Sequence, residues 1–256
     1  MLRGTGAILL ALCAGGLHAT VKASPHAEFR ASYSLPGDGS VVVQNLYGDV
    51  EITAWDREEV LVEAIKHSSD PHCLDDARVV VDSSTRLVSI RTQYLGADAR
   101  HPASVEYHIH VPRRVNLRQV RLINGGISID GVAGAVRASS VNGSIRASRL
   151  GGEADLSTVN GRLEAEFDRV NRGHAISLRS VNGAIRLALP ADGGATVSAR
   201  NSSGGIDADF GRPWRAPEGD RLEASLNGGG APVHLLNVNG GISIRAAWRH
   251  RPRPVS

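Results

Sequence analysis

The sequence predicts an all-β chain whose main part is a repeat β-solenoid. Three observations predict it: a short stretch recurs, both of its flanks alternate apolar and polar residues, and its outward charges change sign from copy to copy. The stretch is Val141-Asn142-Gly143-Ser144-Ile145, repeated as Val159-Asn160-Gly161-Arg162-Leu163, Val181-Asn182-Gly183-Ala184-Ile185 and Val238-Asn239-Gly240-Gly241-Ile242. Ile123-Asn124-Gly125-Gly126-Ile127 opens the series, and Ser202-Ser203-Gly204-Gly205-Ile206 is a worn copy. From Asn to Asn, with Ser203 standing for one, the steps are 18, 18, 22, 21 and 36 residues. Self-similarity at a near-fixed period is the signature of a stacked repeat. The interval from 203 to 239 accommodates either one coil with a long loop or two coils of which one is degraded.

The flanks set the local structure. Four residues before the Asn stand Val120, Ala138, Leu156, Leu178, Ala199 and Leu235, and three after it stand Ile127, Ile145, Leu163, Ile185, Ile206 and Ile242. Period-two alternation on both sides describes half-buried strands. Asn-Gly between such strands also signals a two-residue hairpin, so an antiparallel sandwich or meander of hairpins is the alternative. Hairpins would set Arg179 opposite Arg186 and Asp155 opposite Glu166, and directly opposed like charges are unfavourable. Stacked coils instead give an outward ladder of Arg146, Glu164, Arg186 and Asp207, at about 4.8 Å per step. One pairing opposes the coils: in chain order Arg179 would lie beside Arg200. The apolar residue before each Asn has the wrong parity for the core, and a corner is expected to turn it inward. Asn124, Gly125, Asn142, Gly143, Asn160, Gly161, Asn182, Gly183, Ser203, Gly204, Asn239 and Gly240 are therefore read as structural corners, with Asn tolerating a left-handed backbone there.

The rest of the chain is consistent with an exported β protein. Met1 to Ala23 reads as a signal peptide, with Arg3 in its charged start, an apolar run from Ala7 to Ala14 and a small-residue cleavage site. Residues 24–112 form an N-terminal β region with strands expected over 28–34, 41–44, 50–55, 60–66, 78–82, 87–93, 105–111 and 117–122, the last crossing into the repeats. Residues 113–246 form the solenoid and 247–256 a basic tail. Asn45-Leu46-Tyr47-Gly48-Asp49-Val50 is a stretched early copy of the repeat, which suggests one continuous sheet system. Removing Arg3 and Lys22 from the 29 basic residues leaves 27 against 26 acidic ones, so net charge does not point to nucleic acid. Only Cys73 remains after the signal, which excludes an intramolecular disulfide. No later segment has the roughly 20 apolar residues of a membrane-spanning helix.

Chemistry is sparse. His108 and His110 share a strand face but have no third metal ligand near in sequence. His67, His72, Cys73, Asp75 and Asp76 cluster in an expected loop without a metal-site spacing, so no metal and no cofactor is expected. Glu164 between Arg146 and Arg186 offers the acid and cations of a carbohydrate-processing solenoid, against the plainer reading of a ladder that fixes register.

The strand region, the Val111-Pro112-Arg113-Arg114-Val115-Asn116-Leu117 lead-in and the serial Val-Asn-Gly-x-Ile repeats together resemble the bacterial putative-adhesin β-strand-repeat family, a domain of unknown function. The resemblance covers residues 40 to 246. It implies an all-β repeat protein of the cell envelope, periplasmic or at the surface, with no established catalytic residues. The expectation is a non-enzymatic structural or adhesin-like binding module whose partner is envelope polysaccharide or another envelope protein. The alternative is a polysaccharide lyase or hydrolase on the same scaffold. Oligomeric state has no trace in the sequence.

Overall fold

The computed structural model describes residues 26–69, 71–95, 103–210 and 219–247, with nothing drawn from the side chains of 71, 72 and 247. The expected signal peptide and most of the basic tail lie outside these residues. Among the described residues the chain is strands with one helical turn. β1 (His26–Ser34), β2 (Ser40–Tyr47), β3 (Val50–Trp55) and β4 (Glu59–His67) precede α1 (Pro71–Asp76). β5 (Ala77–Ser84), β6 (Leu87–Tyr94) and β7 (Ser104–Pro112) follow. Strands then come in pairs: β8 (Asn116–Asn124) with β9 (Ile127–Asp130), β10 (Val136–Asn142) with β11 (Ile145–Leu150), and β12 (Ala154–Asn160) with β13 (Leu163–Phe167). β14 (Ile176–Asn182) with β15 (Ile185–Pro190) and β16 (Ala195–Ser203) with β17 (Ile206–Asp209) continue the series. β18 (Arg221–Leu226) stands alone before β19 (Ala231–Asn239) and β20 (Ile242–Ala247).

The paired strands do not fold back on each other. Each strand pairs in parallel with its counterpart one coil away: Asn142 lies beside Asn160, Asn160 beside Asn182, and Leu163 beside Ile185. The result is a two-sheet β-solenoid with an Asn-Gly corner in each repeat coil, replaced by Ser203-Gly204 in the worn copy. The lead sheet, whose strands end at the Asn, runs β18-β16-β19-β14-β12-β10-β8-β2-β6-β5. The return sheet runs β1-β4-β7-β3-β9-β11-β13-β15-β20-β17. Both sheets are continuous from the N-terminal region into the repeats, because β2 and β3 stack on β8 and β9. Antiparallel strands close the ends, with β1, β4 and β5 at one and β18 at the other.

Spatial order departs from chain order at the worn repeat. The coil β19/β20 inserts between β14/β15 and β16/β17, while β18 pairs antiparallel along the outer edge of β16. The 203–239 interval is thus a capping strand followed by an inserted coil, neither of the two arrangements expected. Side-chain quality accounts for it. Ile242 and Ile244 are fully buried between two neighbouring coils, whereas Ile206 and Ala208 of the worn copy are only half-buried at the end of the return sheet. The insertion also removes the expected clash of Arg179 with Arg200, since Leu236 separates them. It corrects the ladder too: Arg186 neighbours Ser243, and Asp207 lies beyond that serine.

The inner faces meet in a dry core of stacked columns. Val50, Ile127, Ile145, Leu163, Ile185 and Ile242 form one column of the return sheet, and Val43, Val120, Ala138, Leu156, Leu178 and Leu235 form one of the lead sheet. All are buried. Beside the corner the lead sheet turns a polar column inward instead, in the order Asn45, Leu122, Ser140, Thr158, Ser180, Asn237, Asn201. Ser140 Oγ donates to the Gly125 carbonyl at 3.0 Å and Thr158 Oγ1 to that of Gly143 at 2.8 Å. At the N-terminal end Asn45 Nδ2 reaches Val105 O at 2.8 Å and its Oδ1 accepts from Thr92, which also bonds the Tyr107 hydroxyl. Burial pushes that hydroxyl up to about 12. Ser180 Oγ has no hydrogen-bond partner among the described residues, and in the fully buried Asn237 neither amide atom has one. An orphan buried polar group costs about 1 to 3 kcal/mol, and Leu122 shows that the column accepts an apolar residue. Asn237→Leu is therefore expected to raise stability by about 1 kcal/mol in chemical denaturation. A loss instead would mean that the amide is satisfied in solution.

Candidate functional site

At the Asn-Gly corner the backbones of successive coils are in close contact. The backbone ladder there runs from coil to coil, the Gly N–H donating to the Asn carbonyl of the next coil, as Gly143 does to Asn160 at 2.9 Å and Gly161 to Asn182 at 3.0 Å, until Gly240 donates to the Ser203 carbonyl at 3.0 Å. The Asn side chains form a second ladder in solvent. Asn142 Nδ2 donates to Asn124 Oδ1 at 2.9 Å, Asn160 to Asn142 at 2.8 Å, Asn182 to Asn160 at 2.8 Å and Asn239 to Asn182 at 2.9 Å. Ser203 ends the row beside Asn239. The corner asparagines are not left-handed, as the sequence reading had them: among the described residues the non-glycine positions at positive φ are Arg149 and Asn227. Their work is done by the amide. Each inner amide spends one N–H and one lone pair on its neighbours and keeps one of each for another partner.

Immediately beside this ladder runs an apolar stripe that the sequence reading missed. The corner does not turn the preceding residue inward. The strand holds its alternation up to the residue before the Asn: the inward place is taken by the residue two before the Asn, the next residue points out, and the Asn is exposed as well. Leu46, Ile123, Val141, Val159, Val181 and Val238 are stacked neighbours in six successive coils, each 37 to 39% exposed. Of the nine exposed large apolar side chains among the described residues, eight lie on this edge of the lead sheet, Tyr47 and Leu236 included, and Leu95 is the exception. The concentration matters because scattered exposed apolar residues are ordinary, and a contiguous strip is not.

The return sheet is different in kind. Across its ten strands one outward row reads Arg30, Glu63, His108, Glu51, Ser128, Arg146, Glu164, Arg186, Ser243, Asp207. Its charges are matched. Glu164 meets Arg146 at 3.2 Å, Arg186 at 2.9 Å and Arg162 at 3.7 Å, and His108 lies 3.2 Å from Glu51. Hydrogen bonding from Arg245, two residues from Ser243, holds the Asp207 carboxyl below its ordinary value. A shallow cavity of about 420 Å³ sits on this face and is lined by Asp49, Glu51, Glu106, His108, Arg146 and Glu164 among others. Asp49 accepts from the Gly126 N–H at 2.7 Å, and Glu106 lies 3.8 Å from His67. The carboxylates of the cavity are therefore spent on structural partners. The ladder makes a direct prediction: Glu164→Arg combined with Arg186→Glu should recover about 0.5 kcal/mol of the summed single losses, as partly exposed neighbouring pairs do. Strict additivity in denaturation would show that the two side chains do not interact.

Metal ligands do not assemble. No group of three or more His, Cys, Asp or Glu side chains is placed to hold an ion among the described residues. His110 stacks on Trp55 at a centroid distance of 5.0 Å, with Arg57 over the other ring partner at 4.9 Å. Cys73, Asp75 and Asp76 lie on α1, where a loop was expected. No helix among the described residues is long and apolar enough to cross a membrane.

No family model and no curated protein matches this chain. Solved structures do. A putative cell adhesion protein from Clostridium sporogenes aligns over 86% of this chain and 100% of its own, with a TM-score of 0.52 at 11% identity. Putative adhesins from Parabacteroides merdae and Bacteroides fragilis each align over 86% of this chain, and over 96% and 97% of their own, with TM-scores of 0.36 at 10% and 9% identity. The first likeness establishes a common all-β fold, the one implied by the repeat sequence.

Proposed function

We infer that the protein is an exported, non-enzymatic binding module of the cell envelope, and that its binding surface is the corner edge of the lead sheet. The observation that carries this reading is the apolar stripe. Six coils present the same aliphatic position beside an amide ladder with unspent hydrogen-bonding capacity, on a scaffold whose backbone is tied at every corner. A rigid, repetitive surface of this kind suits an extended partner, because little ordering entropy is lost on the protein side. The names of proteins sharing the fold agree with an adhesin-like role. The competing reading, a polysaccharide-processing enzyme, would use Glu164 and the return-sheet cavity. It is disfavoured by the three guanidiniums that surround Glu164 and by the absence of a second, unspent carboxylate among the cavity residues named above.

A glycan panel tests the choice. Incubation with uronate and neutral polysaccharides is expected to release no reducing ends or unsaturated products. Turnover that Glu164→Gln abolishes would overturn the binding-module reading in favour of the enzyme.

A further inference from the structure

The row next to the apolar stripe, two residues earlier on each lead-sheet strand, differs sharply from its return-sheet counterpart. In spatial order it reads Val80, Arg91, Gln44, Arg121, Ser139, Ser157, Arg179, Leu236, Arg200, Arg221. Five of the ten residues are arginines and none is acidic. Arg91 borrows Asp82 and Arg179 borrows Asp155 from the adjoining row, and Asp155 is shared with Arg137. Arg121, Arg200 and Arg221 have no carboxylate partner among the described residues. Arg200 and Arg221 are moreover directly opposed across β16 and β18, an arrangement that is unfavourable unless an anion sits between them. The return sheet neutralises its own row; the lead sheet does not.

We propose that the lead-sheet edge binds a linear acidic polysaccharide laid along the stacking axis, across the strands. This rests on the binding-module reading and names its ligand class. Three parallel columns supply three complementary chemistries. The arginine row pairs with carboxylate or sulfate groups, and a guanidinium recognises either through two parallel N–H donors. The Leu46 to Val238 stripe receives the C–H faces of sugar rings, which are apolar and flat. The Asn124 to Asn239 ladder offers hydroxyl groups its spare N–H and lone pair in every coil. The stripe and the asparagine ladder repeat at about 4.8 Å per coil, and arginines recur along the flanking row at Arg91, Arg121, Arg179, Arg200 and Arg221, so contacts accumulate along a polymer rather than at a point. Charge excludes a second copy of the chain on the same face, since two such faces would oppose arginine rows. A nucleic acid would want aromatic platforms for its bases, and the stripe offers aliphatic side chains with Tyr47 alone at one end. A bilayer would want protruding apolar groups, whereas these are single-file and more than half covered.

Titration calorimetry of the mature protein tests the proposal against polygalacturonate, alginate and heparin, with dextran, duplex DNA and phosphatidylglycerol vesicles as the contrasting ligands. At least one acidic polysaccharide is expected to bind, with affinity falling steeply as salt is raised and with dextran inert. Arg121→Gln with Arg200→Gln should weaken that binding about ten-fold or more, as loss of two charge-assisted contacts does. Val159→Asn should weaken it independently of salt, and Arg186→Gln on the return sheet should leave it unchanged. Circular dichroism confirms that each variant keeps the native fold. Failure of all three acidic polymers, equal binding of dextran, or tighter binding of DNA or vesicles would overturn the proposal. If the protein is still held by envelope material while all three polymers fail, the ligand class is wrong and the binding-module reading stands.

Discussion

Gly161→Val is expected to destabilise the protein by about 3 kcal/mol or more, the range of severe overpacking in an unyielding site. At the corner the coils approach so closely that a Cβ on Gly161 would lie 2.3 Å from the Gly143 carbonyl oxygen and 2.6 Å from its carbon. Those atoms belong to backbone fixed by the ladder on both sides, so nothing nearby can give way. Gly161 has a φ of 157°, at the margin of the region that favours glycine, which makes conformational preference the weaker cause. Gly143 separates the two causes. It lacks a positive φ, yet a Cβ there would meet Gly125 O at 1.8 Å. Gly143→Ala should therefore cost at least as much as Gly161→Ala. Gly173, whose Cβ would meet nothing within 4 Å, should accept alanine within about 0.5 kcal/mol. Equal tolerance at all three positions in urea unfolding would refute the close-packed corner.

Phe167→Ala is expected to cost about 4 kcal/mol, at the upper end for core truncations. Phe167 is 1% exposed and ends β13 beside Leu150, where the β11–β13 register shifts. Upstream of it the same strand carries Ala165, stacked between Ala147 and Leu187. Ala147 and Ala165 are too short to fill the space, so much of the cavity should persist and the cost should include it. Phe167→Leu, which refills most of the volume, should recover more than half of the loss in thermal unfolding. A Phe167→Ala loss below about 1.5 kcal/mol would mean that the core collapses freely around this site.

Most of the architecture was legible because the repeat writes each contact several times. Columns such as Ile127, Ile145, Leu163 and Ile185 specify both the buried face and the register, and the charges of Arg146, Glu164 and Arg186 separate parallel coils from hairpins. Two features escaped for different reasons. The coil order β14, β19, β16 depends on a competition between a full repeat and a worn one for an interior place, which sequence spacing does not express. The outward stripe escapes a reading in which wrong parity is a fault that the corner corrects. In fact Ser140, Thr158 and Ser180 already fill the inward place, the first two hydrogen-bonded to corner carbonyls, and Val141, Val159 and Val181 are left to solvent. The repeated Val before each Asn was the available signal: a surface position has no packing reason to stay aliphatic through four copies.

The central claim is that the lead-sheet edge, and not the return-sheet cavity, is the working surface. Retention of purified mature protein by isolated cell-envelope material tests it most directly, with Val159→Glu and Glu164→Gln compared side by side at equal fold stability. Val159→Glu puts a negative charge in the middle of the stripe, beside the arginine row, and is expected to lower retention about ten-fold, while Glu164→Gln is expected to leave it unchanged. Loss of retention in Glu164→Gln with Val159→Glu unaffected would contradict this assignment of the working surface.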